Sequence, residues 1–199
     1  MFLERLFSNY ELSADGTHAG IVSYGGDAYV SVKLNQFTNN KDFMSVLERI
    51  QPRVSSPGSN VAEALLVAKD ELLSPSNGAR NDSQRKLIVI MSDMSKGDAS
   101  LEASRVRKAG IHVSVVVMPL AGKSVSKQEA NEIATSPADV YYVTGDGQQD
   151  EQIVDSMVNQ DNAGMCYLCP FKTLPIVVAV YGRIILAKSF IMIHIFTMA

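Results

Sequence analysis

Residues 86–91 read Lys-Leu-Ile-Val-Ile-Met, the most continuous β signal in the chain. A run without polar alternation is what a central parallel strand requires when both of its faces are covered. A second unbroken run, His-Val-Ser-Val-Val-Val-Met over 112–118, follows a helical stretch at 101–109 that Gly110 stops. Two buried strands joined through a helix form a right-handed crossover. The two runs are therefore expected to be neighbouring, fully buried parallel strands.

Working outward, the alternation of strand and helix continues. Toward the C-terminus come a helix at 126–134, a short strand at 140–143 and a last helix at 151–158. Toward the N-terminus, Val61, Ala64, Leu65, Ala68 and Leu72 form the apolar stripe of a core-facing helix that follows the loop Ser55-Ser56-Pro57-Gly58-Ser59. Phe43, Val46, Leu47 and Ile50 mark another helix, closed by Pro52. Residues 19–24 and 28–34 flank Gly25-Gly26-Asp27 and read as a β-hairpin, while Phe2, Leu3, Leu6 and Phe7 have helical spacing. The fold class is α/β: an open, mostly parallel, doubly wound sheet with one antiparallel edge strand and helices on both faces. Ligands of such sheets bind beyond the carboxyl ends of the strands, which puts the loops around Ser59, Asp93 and Gly122 on the functional rim.

With 199 residues, 46% hydrophobic and 20% charged, the chain has room for one ordinary core plus an appendage. The expected division is a domain at 1–160 and an apolar tail at 161–199. The formal charge of -3 conceals an asymmetry, because Asp161 is the last acidic residue while Lys172, Arg183 and Lys188 follow it. The domain itself is thus distinctly acidic, a poor match for phosphate, and nucleic acid is excluded as a partner. Glu4 and Arg5 interrupt the first apolar stretch, so no secretory signal is legible here.

Most enzyme chemistries lack their residues. No G-x-G-x-x-G follows a strand, no G-x-x-x-x-G-K-[ST] occurs, and no G-x-S-x-G offers a nucleophile. His18, His112 and His194 are scattered, and His112 opens an apolar strand as a structural histidine would. Cys166 and Cys169 form a lone C-x-x-C without the two further ligands of a zinc site. What remains is an oxygen-rich rim. Asp93 and Ser92 follow the 86–91 strand, and Ser59 and Asn60 open the helix after Gly58. A carboxylate and a hydroxyl on adjacent loops suit a small hard cation such as Mg2+. The same residues also have local uses: Asn60 with Glu63 fits a capping box, Ser59 could cap the same helix, and Asp93 could close an Asx turn.

Five segments in order, DGTHAGIVSYGGDAYVSVKLN at 15–35, SPGSNVAEAL at 56–65, KLIVIMSDMSKGD at 86–98, VRKAGIHVSVVVM at 106–118 and IATSPADVYYV at 133–143, resemble von Willebrand factor A domains. The extracellular subset of collagens, matrilins, integrin inserted domains and parasite adhesins is closest in flavour. The resemblance implies a protein-binding adhesion module, not an enzyme, from an extracellular or cell-surface parent protein, with a matrix or cell-surface protein as its ligand. It also implies a metal-ion-dependent adhesion site for Mg2+ or Mn2+, with Ser59 in the second loop and Asp93, preceded by Ser92, in the third. The first loop, D-x-S-x-S, has no counterpart, and Val61 and Met94 stand where relatives carry threonine and glycine. The expected site is incomplete and cation binding weak or absent. The central strand that carries the first loop in the family is missing as well, so either the chain is a fragment or another segment fills that slot.

The segment 174–199 is long and apolar enough to span a bilayer, but Arg183, Lys188 and His194 interrupt it, and no stable transmembrane helix is expected. Its remaining readings are an end without an evolved role or a packed extension. Residues 175–181 have the β-branched composition of a buried strand suited to the vacant central slot. Two rival functions stay open at this level: an intracellular scaffold of a multiprotein assembly without metal-dependent adhesion, and a small α/β enzyme. Asn81-Asp82-Ser83 supplies a glycosylation acceptor in an extracellular setting.

Overall fold

The computed structural model describes residues 2–47, 49–50, 58–80, 84–118, 123–163 and 176–181. They form a six-stranded sheet in the order β2-β1-β6-β3-β4-β5. Strands β1 (Ala19–Tyr24) and β2 (Ala28–Val32) make the antiparallel hairpin at one edge. Strands β3 (Arg85–Met91), β4 (Ile111–Val117) and β5 (Val140–Tyr142) run parallel to one another on the other side. Between the two halves lies β6 (Ile176–Tyr181), parallel to β1 in the register Ile21↔Val178 and to β3 in the register Ile88↔Val178. The apolar run of the tail thus occupies the central slot.

Strand β3 shows why both faces must be covered. Leu87, Val89 and Met91 enter one cluster and Ile88 and Ile90 the other, and all of them are buried. The first cluster packs against α3 (Val61–Leu66), α4 (Ser100–Lys108) and α5 (Lys127–Ile133); the second packs against α1 (Phe2–Ser8), α2 (Asn40–Leu47) and α6 (Gly147–Ala163). Burial of each branched side chain contributes about 1.5 to 3 kcal/mol. An edge-to-face pair of Phe7 and Phe43, 4.7 Å between ring centroids, locks α1 to α2.

The 61–73 stripe is one continuous helix with a change of pitch. Its first six residues are α-helical and Val67–Leu72 forms a π-helical turn, whose Val67, Ala68 and Leu72 are buried with Leu73. Leu72 lies so close to β1 that a Cβ on Gly20 would sit 2.9 Å from its Cδ1. The same Cβ would sit 3.0 Å from the Val32 carbonyl oxygen, so a larger residue there has to displace the Leu72 side chain and the backbone of the hairpin.

The expected neighbours β3 and β4 are paired throughout, Arg85↔Ile111 to Met91↔Val117. One detail differs from the expectation: His112 is half-exposed because it sits near the N-terminal mouth of β4, where its Nε2 lies 2.9 Å from Oδ1 of the buried Asp139. Ser136 Oγ donates to the other oxygen of Asp139 at 2.7 Å, so the histidine is structural. Strand β2 stops at Val32, and α6 begins earlier than the apolar spacing indicates, at Gly147. Gly122, Cys166, Cys169 and Asn81-Asp82-Ser83 lie outside the described residues. Among the described residues no helix is long and apolar enough to cross a membrane.

Strand β6 has partners on both sides, so its centre is the most sensitive place for a backbone change. Val178→Pro removes one ladder donor and forces the fixed φ of proline into a central strand. It is expected to cost about 3 kcal/mol or more, read as a lower midpoint in urea denaturation.

Candidate functional site

The carboxyl ends of β1 and β3 converge on a rim whose loops are stitched together by backbone hydrogen bonds. Asn60 N–H donates to Gly25 O at 2.6 Å, tying the loop before α3 to the β1–β2 turn. Lys96 N–H donates to Ser59 O at 2.6 Å, tying the same loop to the one after β3, and Val61 N–H donates to Ser95 Oγ at 3.3 Å. Gly58, at φ 129°, opens the first of these loops, and a Cβ there would meet Lys96 Cδ at 3.3 Å. The Tyr24 hydroxyl donates to Ile90 O at 2.8 Å, joining the two strands that flank β6 at their carboxyl ends.

On this scaffold the four residues singled out by the sequence take different roles. Asn60 is the helix cap: its Oδ1 accepts from Glu63 N–H at 3.2 Å, but the return bond of a capping box is not made, since Glu63 Oε2 accepts at 2.9 Å from Asn60 Nδ2 and the Asn60 N–H goes to Gly25 O. Ser59 does not cap the helix. Its hydroxyl and that of Ser92 are buried, at 3% and 2% exposure, and neither has a hydrogen-bond partner among the described residues. A buried hydroxyl left without a partner costs about 1 to 3 kcal/mol, so two of them in one loop cluster call for an explanation. Asp93 is half-buried, with Oδ1 accepting from Met94 N–H at 2.9 Å.

Two charged residues at the rim were not found by sequence reasoning. Lys123 Nζ lies 2.7 Å from Asp93 Oδ2. Glu129 Oε1 accepts from Ser95 N–H at 2.7 Å, while its Oε2 is buried without a partner among the described residues. The Ser126-to-Glu129 spacing signals a cap for α5, and Ser126 does accept from Glu129 N–H at 3.5 Å, but the carboxylate reaches 34 residues back instead of to its own helix. Burial raises the Glu129 carboxyl above its ordinary range, the Ser95 amide lowers it, and the charges of Glu132 and Asp93 raise it further.

Whether a divalent cation suits these atoms turns on the charges. The two orphaned hydroxyls would suit a hard ion, since serine oxygens are acceptable ligands for Mg2+. The carboxylate is another matter. Two unit charges about 4 Å apart interact by about 4 kcal/mol at an effective dielectric of about 20, and a divalent ion doubles the repulsion it feels from the Lys123 ammonium. Asp93 also has no carboxylate help from β6, because no Asp or Glu follows Asp161. Among the described residues no group of three or more His, Cys, Asp or Glu could hold a metal. The donor set does not fit a divalent cation as it stands.

The profile of the von Willebrand factor type A domain matches residues 1–156, which include every strand of the sheet except β6. The chain belongs to this family. Relatives include the human collagen alpha-1(XX) chain, 21% identical over 139 residues covering 70% of this chain and 10% of the collagen. Chicken matrilin-1 is 26% identical over 146 residues, 73% of this chain and 28% of the matrilin. Cuticlin-6 of Caenorhabditis elegans is 24% identical over 156 residues, 78% of this chain and 26% of the cuticlin. The chain therefore spans between about a tenth and under a third of these relatives. In structure it is similar to proximal thread matrix protein 1 from the mussel byssus with a zinc-occupied MIDAS motif, with a TM-score of 0.70 at 18% identity, over 79% of this chain and 40% of that one. The manganese-loaded TRAP protein of Plasmodium vivax superposes with a TM-score of 0.61 at 13% identity, over 78% of this chain and 62% of that one. Both of those proteins hold a metal, and the likeness of this chain to them shows the fold.

A carboxyl raised by burial binds its proton more tightly in the folded state than in the unfolded one. Its contribution is fully present below the ordinary value of 4.5 and is lost as pH rises through the raised folded value. Glu129→Gln keeps the acceptor for Ser95 and removes the buried charge. The variant is expected to have a higher Tm than wild type at neutral pH and a flatter pH dependence above 4.5, checked by thermal denaturation across that range.

Proposed function

We propose that this chain is a protein-binding module of the matrix and adhesion type, with an incomplete metal-ion-dependent adhesion site at the rim where β1 and β3 end. The observation that carries the reading is the pair of buried hydroxyls, Ser59 and Ser92, that have no hydrogen-bond partner among the described residues, on the loops that also carry Asp93. A ligand atom that meets them recovers a cost the free protein bears. Met94, 54% exposed beside Asp93, offers an apolar contact at the same place. Kinship with collagen and matrilin chains supports a structural, non-enzymatic role and an extracellular or cell-surface parent protein.

In this reading Ser59 and Asp93 are what remains of a cation site whose binding of Mg2+ or Mn2+ is weak or absent, and Ser92 and Asn60 shape the ligand-binding rim. The partner is a matrix or cell-surface protein. The module is 1–160, to which the 161–199 segment lends β6. Residues 182–199, which carry Arg183 and Lys188, lie outside the described residues.

Surface plasmon resonance of the 199-residue chain over immobilised collagens, fibronectin and laminin tests the module. Binding to at least one of them is expected, changed less than about twofold by EDTA, and weakened about tenfold or more by Met94→Glu and by Asp93→Arg, as for anchors near the centre of an interface. Binding abolished by chelation, or untouched by both substitutions, contradicts the reading.

A further inference from the structure

We propose that Lys123 is a tethered cation at this rim, a specificity-determining residue whose ammonium occupies the carboxylate that a divalent ion would need. The inference rests on reading the rim as the adhesion site and deepens it.

The pairing is direct: Nζ to Asp93 Oδ2 is 2.7 Å, with Asp93 24% and Lys123 40% exposed. The other oxygen of Asp93 already accepts from Met94 N–H. Both carboxylate oxygens thus have a donor before any ion arrives. Nearby, the stem of Lys96 crosses Gly58, so a second lysine belongs to the same cluster of loops. The central strand adds nothing to offset these positive charges, since the sequence from 162 onward contains Lys and Arg and no acid. The second carboxylate at the rim, that of Glu129, is committed through Oε1 to Ser95 N–H.

A lysine suits this task. Its ammonium is a compact point charge on a flexible four-carbon stem, able to sit on one carboxylate oxygen and to leave it. A pair this exposed is weak, so the ammonium competes with a divalent ion without excluding it absolutely. Its presence shifts the balance twice over: the ion must displace the ammonium from Asp93, and must then bind close to the charge it has displaced.

Mn2+ titration of the full 199-residue chain, by calorimetry and by the electron paramagnetic resonance of free Mn2+, tests the proposal. Four proteins are compared: wild type, Lys123→Met, Lys123→Arg, and the double variant Asp93→Asn with Lys123→Met. Circular dichroism establishes that each is folded. Lys123→Met is expected to bind Mn2+ about tenfold more tightly than wild type. Lys123→Arg, which keeps the charge, is expected to stay within about twofold of wild type, and the double variant to lose the gain. Equal affinity of Lys123→Met and wild type overturns the proposal, as does a gain that survives Asp93→Asn. The titration is independent of any protein partner: a chain that captures no matrix protein can still give this ordering, and one that captures them can fail it.

Discussion

The structure depends on a strand being present between β1 and β3. In a parallel sheet covered by helices on both faces, the inward-facing amides and carbonyls of these two strands are out of reach of water, and each one left unpaired costs on the order of 1 to 3 kcal/mol. Strand β6 meets that need on both sides at once, in register from Ala19↔Ile176 to Tyr24↔Tyr181 and from Lys86↔Ile176 to Ile90↔Val180. With the ladder continuous, the hairpin and the β3-β4-β5 half become one sheet and the two apolar clusters become continuous layers. The Tyr24 hydroxyl on Ile90 O then closes the carboxyl end of the gap.

The same substitution of strands decides the chemistry of the rim. The carboxyl end of a central strand is where an open α/β sheet presents its ligand site, and whichever strand fills the middle brings its own following residues there. In this chain the sequence after β6 is Gly182-Arg183, without an acid, and of the two carboxylates at the rim Asp93 is paired with Lys123 while Glu129 accepts from Ser95 N–H. The rim holds two buried hydroxyls, Ser59 and Ser92, beside a carboxylate, Asp93, that is paired with an ammonium.

The fold was largely legible in the sequence because its signals are local. The 86–91 and 112–118 runs became β3 and β4, the Gly25-Gly26-Asp27 turn became the hairpin, and Asn60 became the side-chain cap of α3. The β-branched composition of 175–181 marked a buried strand, and its place between β1 and β3 is the slot that the resemblance left vacant. The rim was less legible. Ser59, Ser92 and Asp93 stand at strand ends and are found by that rule, but Glu129 reads as the third residue of its own helix and Lys123 as a surface lysine. What brings them in is the packing of α5 against β4 and the course of the loop after it, and side-chain contacts 30 and 34 residues apart leave no periodicity behind. The π-helical turn at Val67–Leu72 was likewise hidden, because the apolar stripe of a helix does not record a local change of pitch.

The central claim is that residues 176–181 are the middle strand of the sheet. Native-state hydrogen exchange on the 199-residue chain tests it most directly, since amides of a strand paired on both sides open only with the whole domain. The account predicts that Val177 to Val180 exchange with the slow, globally limited rates of Leu87 to Ile90 in β3. Exchange of the 176–181 amides at the rate of an unstructured peptide, with β3 still protected, would contradict it.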